Sequence, residues 1–562
     1  MKKIIYGESN FKKVKINNDY LYIDKTEYIK HLENRDENFY IFLRPRRFGK
    51  SLFLSTMQYY YDENSKNEFE MLFKNTYIGN NPTPLKNSFK ILFFEFSGIE
   101  VENRTIEQIK QSVAFSVKLN CQRYLDAYGY NENIVNLNSD EPADIIKAFF
   151  EIAQNDKIYI LIDEYDQFAN AILAHNMKEF LNVVSKGGFV RSFYEVLKSA
   201  TQTGTVQKMF ITGVTPITLD SLSSGFNIVS NISNTEEFNA MAGFVENEVK
   251  LSLEETIFKK CPNINKNRIL KNLKEWYNGY LFNYKSKDRV YNATLINYFL
   301  IQYDYKRCQI PIKMLDPNVA SDYKTIMKLF NIGSKEKNYR VLESLINNNS
   351  AIGSINDRYD LEKSFTQDDF ITLLYSMGFI TIKERLFGDK FIFEIPNYVI
   401  KILYFNYFAI EIEKRNNLEI RDNISQILID LAMGNIEPFK EQLEKVIKVL
   451  SNRDFMKFDE KHFQSIMLSL LSFASFYFIK SQSEKNHNYP DIILYKREDK
   501  VPYNYLFELK WKRKNDNFNT LKQQGIKQVK RYLESEEIKA LSKLKSFLVI
   551  GSKDGVEFVE VG

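Results

Sequence analysis

Cysteine and histidine are scarce in this chain, at three and four among 562 residues. Cys121, Cys261 and Cys308 are far apart and in no metal-like spacing, which argues against a zinc site and fits a reducing cytosol. Charge of one sign is lacking too. Lys and Arg total 77 against 72 Asp and Glu, a net of +5, so any basic surface has to be local. The opening "MKKIIYGESNFKK" is basic with no apolar stretch of its own, so no signal peptide is expected. One uncharged stretch, "FQSIMLSLLSFASFYFI" at 463–479, approaches a membrane span. It falls short of the roughly 18 to 20 apolar residues a span needs, and Ser465, Ser469 and Ser472 recur at helical spacing. It reads as a buried helix running into a strand, and the protein as cytoplasmic with no membrane partner.

What is present is the composition of a globular protein, 44% hydrophobic and 27% charged, in a chain long enough for roughly three or four domains. Four apolar runs, at 38–43, 90–96, 157–164 and 208–214, read as buried strands. Helical patterns such as Ser51–Tyr61, Thr105–Tyr124 and Phe189–Ala200 alternate with them, which predicts an α/β parallel sheet over 1–235. Residues 236–335 read as a helical lid. Residues 336–424 contain two alternating runs around a Gly-Asp turn, "GFITIKERLFGDKFIFEIPN", a hairpin that suits a winged-helix-like segment. The last segment, 425–562, is helical, then strand-like around "DIILYK" and "YNYLFELKW", then helical again.

Within the first segment, "RPRRFGKS" follows a strand and opens a helix. Gly49, Lys50 and Ser51 stand as in a P-loop, where backbone N–H groups surround phosphates, the lysine reaches them and the hydroxyl takes Mg²⁺. Arg44 occupies the place of the usual first glycine, and Pro45 offers another way to set the turn. The third apolar run ends in Asp163-Glu164. Asp163 suits the Mg²⁺ shell and Glu164 the polarisation of an attacking water. One strand run lies between loop and acidic pair, as in NTPases that insert a strand there. Thr212 and Thr215, ending the fourth run, suit a sensor of the γ-phosphate. Arg46 and Arg47 either neutralise transition-state charge or support the loop from the surface.

"YIDKTEYI" (22–29), "RPRRFGKSLFLSTM" (44–57), "LIDEYD" (161–166), "ITGVTPITLDSLSSGFN" (211–227) and "WYNGYLF" (276–282) resemble the bacterial AAA-ATPase-like family that carries a C-terminal PD-(D/E)XK nuclease-like domain. The resemblance implies ATP and Mg²⁺ as cofactors. It makes Arg44 a trait of the family's own loop and places Asp24 and Lys25 near the nucleotide.

The C-terminal segment carries the second constellation, "NYPDIILYKREDKVPYNYLFELKWK" (488–512). Asp491 opens one strand run, and Glu508 and Lys510 sit two apart on the next, hence on one face. Two carboxylates suit Mg²⁺, and a lysine beside them suits the orientation of a water attacking a phosphodiester. By the same resemblance, Glu460 and Glu484 take the places of the nuclease fold's further acidic residues. "QVKRY" (528–532) matches its Gln-x-x-x-Tyr. The family commonly has Gly-Arg shortly before the metal aspartate, where this chain has Asn488-Tyr489-Pro490. Residues 496–531 hold eleven Lys/Arg against four Asp/Glu, a stripe suited to phosphate backbones or an ordinary solvated face. The expected function is an ATP-dependent nucleic-acid-processing protein, with DNA favoured over RNA as partner and a homo-oligomer compatible with it. The alternative is a nucleotide-controlled switch or scaffold whose nuclease-like domain only binds.

Overall fold

The computed structural model describes residues 2–16, 19–185, 187–216, 227–327, 330, 332–356, 365–416, 421–451, 459–481 and 489–562. It divides into two compact units, residues 1–341 with 352–397 and residues 342–351 with 398–562.

The first unit is organised by a five-stranded sheet. Its strands are β1 (Phe39–Leu43), β2 (Lys90–Glu95), β3 (Ile158–Asp163), β4 (Val206–Gly213) and the short β5 (Ser230–Asn231). Every pairing is parallel, and the order is β2-β3-β4-β1-β5. Continuous apolar runs are what such strands require, because helices cover both faces. All six residues of β3 are buried. The expected helices form as Lys50–Tyr61 (α1), Ile106–Ala127 (α2) and Phe189–Gln202 (α4), with Pro142–Ile152 (α3) between. Thr105 and Gln108 close a capping box that starts α2. The strand that separates loop and acidic pair in sequence, β2, lies at the sheet edge, while β4 sits between β1 and β3 in space. Thr212 is therefore brought beside the acidic pair.

Helices Glu246–Leu253, Lys266–Tyr277, Ala293–Gln302 and Pro317–Ile326 follow. Here the cysteines depart from the expectation of a reducing compartment. Cys261 and Cys308 form a disulfide across 47 residues, with Cα atoms 5.8 Å apart, and Cys121 is free and buried. Sequence separation alone hides such a pair, because helix packing brings its ends together. The unit closes with β6 (Ala351–Ser354), α5 (Gln367–Ser376) and the antiparallel hairpin of β7 (Thr381–Phe387) and β8 (Lys390–Glu394), in the sheet order β6-β8-β7. The Gly388-Asp389 turn falls where the sequence put it, with Gly388 at φ +55°.

The second unit is built on a sheet of order β9-β10-β11-β12-β13. Its strands are β9 (Tyr477–Ser481), β10 (Ile492–Lys496), β11 (Asn504–Trp511), β12 (Leu544–Ser552) and β13 (Gly555–Glu560). Only β11 and β12 pair in parallel, and α7 (Phe518–Leu533) makes the crossover between them. That helix packs so closely that a Cβ at Gly525 would meet the Leu548 side chain at 2.3 Å, so a larger residue there would force Leu548 to move. The uncharged 463–479 stretch divides into α6 (Glu460–Leu471) and the start of β9, as the serine spacing implied. Ser465, Ser469 and Ser472 each donate to a carbonyl of their own helix, which lets the helix be buried. Among the described residues, no helix is long and apolar enough to cross a membrane.

Candidate functional site

Gly49 caps the N-terminus of α1 at φ +99°, and Arg47 adopts φ +66°. The sharp turning of the loop thus falls on positions 47 and 49, and position 44 does not need a glycine. Arg44 was expected beside the nucleotide, but it is 1% exposed and faces away from it. Its guanidinium donates to the carbonyls of Leu43, Ser233 and Phe238 and stacks 3.9 Å from the Phe282 ring centroid. A buried guanidinium needs such acceptors, so Arg44 anchors the loop to the body of the unit.

The loop opens on a cavity of about 410 Å³ at the C-terminal ends of the strands, lined among others by Lys25, Arg46, Arg47, Gly49, Lys50, Ser51 and Glu164. Lys50 is buried, and its ammonium donates to the carbonyls of Arg44 at 2.9 Å and Pro45 at 3.1 Å. Burial lowers its pKa, with Glu164 and Asp163 pulling the other way. Glu164 sits just past β3 at φ +53°, a left-handed conformation that a non-glycine residue adopts only when its surroundings enforce it. Burial raises its carboxyl, and Lys50 opposes that rise. Asp163, 4% exposed, accepts the Thr212 hydroxyl and the Glu164 amide. Thr212 is thus spent on orienting Asp163, and neither residue lines the cavity.

Lys25 reaches the cavity wall, where it pairs with Glu248 at 2.6 Å and donates to the Ala240 carbonyl. Asp24 does not reach it. Its carboxylate accepts the backbone N–H groups of Thr26 and Tyr77, which ties it to a short helix start instead. The resemblance supplied both residues, and only geometry separates them. Residues after 236 also grip the loop: Thr294 donates to the Arg47 carbonyl, Asn292 to that of Arg46, and the Gly243 amide to that of Phe48. No sequence signal marked these contacts.

In the second unit, β10 and β11 run antiparallel with Ile492 opposite Phe507, which sets Asp491 beside Glu508. The Leu509 amide donates to Asp491 Oδ2 at 2.7 Å, and Gln464 on α6 donates to the Asp491 carbonyl. Lys510 Nζ lies 2.9 Å from Glu508 Oε1 and 3.4 Å from Glu460 Oε1. Glu508 is 2% exposed, and its other oxygen, Oε2, has no partner among the described residues. Burial, then the Glu508 charge, holds the Asp491 carboxyl well above the usual range. Burial likewise raises Glu460, with Lys510 opposing. Glu484 lies outside the described residues. The structure therefore brings together Asp491, Glu508, Lys510 and Glu460, as the strand spacing and the resemblance implied.

Comparison with known proteins fits this division. Residues 5–223 match the AAA-ATPase_like family model, described as "Predicted AAA-ATPase", and residues 458–558 match a model of the PD-(D/E)XK nuclease superfamily. The chain carries an N-terminal AAA-ATPase-like domain and a C-terminal PD-(D/E)XK nuclease-like domain. A relative from Azotobacter chroococcum mcd 1, named "Uncharacterized protein in vnfD 5'region", is 26% identical over 279 residues, which is 50% of this chain and 48% of that protein. The match thus spans about half of that relative's length. A solved Walker-type ATPase of Pyrococcus abyssi superposes with a TM-score of 0.35 at 11% identity, covering 69% of this chain and 97% of that one.

The donor sets of the two domains differ. In the AAA-ATPase-like domain, Lys50 is satisfied by carbonyls alone, and Arg46, Arg47 and the α1 N-terminus stand around the same cavity, an arrangement that suits a polyphosphate. In the nuclease-like domain, an unpartnered buried carboxylate oxygen beside a second carboxylate suits a hard cation such as Mg²⁺. Among the described residues, no group of three or more His, Cys, Asp or Glu side chains is arranged to hold a metal ion. Gln528, in the Gln-x-x-x-Tyr of α7, likewise has a buried oxygen with no partner among the described residues.

Proposed function

We propose that the protein binds and hydrolyses ATP in its AAA-ATPase-like domain and uses that cycle to control a Mg²⁺-dependent phosphodiesterase in its nuclease-like domain. One observation carries the reading: a single cavity is lined at once by Lys50, Ser51 and Glu164. In this reading Lys50 exchanges its two carbonyl partners for phosphate oxygens. Ser51 serves the metal, and Asp163, held by the Thr212 hydroxyl behind the cavity wall, adds its charge to that side. Glu164 takes a proton from the attacking water, which its raised carboxyl suits. Bound Mg²⁺ supplies charge neutralisation for phosphoryl oxygens at each site.

In the nuclease-like domain Asp491 and Glu508 hold the cation, and Lys510 orients the water that attacks the phosphodiester. Glu460 keeps that ammonium in place. Basic residues of the 496–531 stripe, among them Lys512 and Arg513, hold the nucleic-acid backbone. The middle hairpin with α5 serves as a winged-helix-like element. The test incubates purified protein with DNA and with RNA, with Mg²⁺ or chelator, and with or without ATP. Cleavage that needs Mg²⁺ and changes with ATP is expected. Absence of ATP turnover by the intact chain overturns the reading.

A second reading has its own support. Lys510 already neutralises Glu508 and Glu460, and no three-ligand cluster stands among the described residues. Those facts favour an adaptor that binds nucleic acid without cutting it, under control of a nucleotide switch. ATP turnover without cleavage of any DNA or RNA tried would select it.

A further inference from the structure

We propose that the β7–β8 hairpin and the adjoining loop at Tyr284 form a docking surface for single-stranded nucleic acid, apart from the nuclease-like domain. The hairpin tip exposes what a core would bury. Phe387 is 69% exposed and Leu386 41%, while the Tyr284 ring nearby is 36% exposed. These side chains belong to an ordered patch. The Arg385 guanidinium lies over the Tyr284 ring at 5.2 Å and donates to its hydroxyl at 3.3 Å. Phe391, opposite Arg385 in the ladder, has its ring 5.9 Å from Tyr284. Arg385 also donates twice to the Gly388 carbonyl, at 3.0 and 2.8 Å, which fixes the turn that presents Phe387.

The charge around this patch selects the partner. Residues 283–289 and 383–391 contain six Lys and Arg against three Asp and Glu. Lys390 and Arg289 are paired with Asp368 and Glu394. Lys285, Lys287 and Lys383 are exposed, and Lys383 and Arg385 alternate with Glu384 along the strand that ends in Phe387. Exposed rings framed by cations are the arrangement on which unstacked bases stack while phosphates track the charge. A duplex hides its base faces, so the rings favour a single strand. The proposal does not depend on cleavage, and it stands or falls even with an inert nuclease-like domain.

The test measures anisotropy of a labelled oligothymidylate of about twenty nucleotides against the full chain in chelator, beside a duplex of equal length. Phe387→Ala at an exposed turn spares the fold and should weaken single-strand binding about fivefold or more, with an unchanged salt slope. Phe387→Trp should retain binding. The pair Lys285→Glu and Lys287→Glu should weaken binding and make the salt slope shallower by about one unit. ATP affinity should be unaffected by all of these. Unchanged oligonucleotide binding in Phe387→Ala and in the lysine pair overturns the proposal and leaves the patch to a protein partner. Equal loss of duplex and single-strand binding in Phe387→Ala also overturns it.

Discussion

Lys50 is a buried lysine and Lys510 a partly buried one, each beside a glutamate, yet their pKa values move in opposite directions. Burial dominates at Lys50 and lowers it, because its direct partners are the neutral carbonyls of Arg44 and Pro45. At Lys510 burial also lowers, but Glu508, Glu460 and Asp491 together outweigh it and the ammonium is raised. The local charge inventories explain the difference. The nucleotide cavity is lined by Lys25, Arg46, Arg47 and Lys50 against Glu8 and Glu164, and Lys50 hydrogen-bonds to backbone carbonyls and not to a carboxylate. Around Asp491, carboxylates exceed cations, and one buried oxygen of Glu508 has no partner among the described residues. The first site is short of an anion and the second of a cation. Lysine chemistry at each follows from that imbalance and not from burial alone.

Breaking the second half of the comparison should produce the largest effect. Asp491, Glu508 and Lys510 act as one unit in the proposed cleavage, so Glu508→Ala should reduce it on the order of 10³-fold or more. Removing Asp491 as well should add little, since groups acting together are not additive. Nicking of a labelled substrate with Mg²⁺ and with chelator reads this directly. Equal cleavage by Glu508→Ala and wild type would assign it to another site. In chelator, Asp491→Asn should raise the melting temperature, because the mutation relieves a buried carboxylate pair that lacks its cation.

The nucleotide site yields smaller and separable losses. Glu164→Gln keeps the shape and removes the base, so ATP should still bind while turnover falls by about 10² or more. Wild-type turnover in that variant would move the base elsewhere. Lys50→Ala removes the buried cation that waits for phosphate, and ATP affinity should fall about tenfold or more. A titration that finds ATP affinity unchanged would reject the assignment of the anion-deficient site.

Much of this was legible before any coordinates. The buried strands of the first sheet are continuous apolar runs, and they appear within two residues of where the runs lie. The i, i+2 spacing of Glu508 and Lys510 fixed their shared face. What sequence missed was mostly long-range. The strand order that puts β4 between β1 and β3 depends on crossovers, not on local pattern. Arg44 looked like a phosphate ligand because of its place in a motif, but its acceptors come from residues near 233 and 238. Asp24 and Lys25 are neighbours just before a short helix, where the Asp24 carboxylate is taken up by the Thr26 and Tyr77 amides and only Lys25 reaches the cavity. The hairpin of β12 and β13 was the avoidable loss. Asp-Gly at 554–555 between two apolar runs is a hairpin signal in sequence, and the structure turns at Lys553-Asp554 with Ser552 opposite Gly555, where a helix was expected.

The smallest predicted effect concerns Arg46, whose role the sequence left divided between phosphate chemistry and loop support. It lines the cavity, donates to Gln167, and is one of the cations that lower the Glu164 carboxyl. Burial has raised that carboxyl, so as pH falls the proposed base is protonated earlier than a free glutamate and turnover drops. Removing Arg46 removes part of the downward pull. The Glu164 pKa therefore rises further, and the acid limb of the ATPase profile should move to higher pH by a few tenths of a unit in Arg46→Gln. Arg46→Lys keeps a charge in place and should leave the limb close to wild type. If Arg46 instead neutralises transition-state charge, Arg46→Gln should lower the kcat plateau by tenfold or more while the limb stays where it was. A profile in which neither plateau nor limb moves would make Arg46 a support for the loop, leaving Lys50 as the cation that governs both the phosphate and the base.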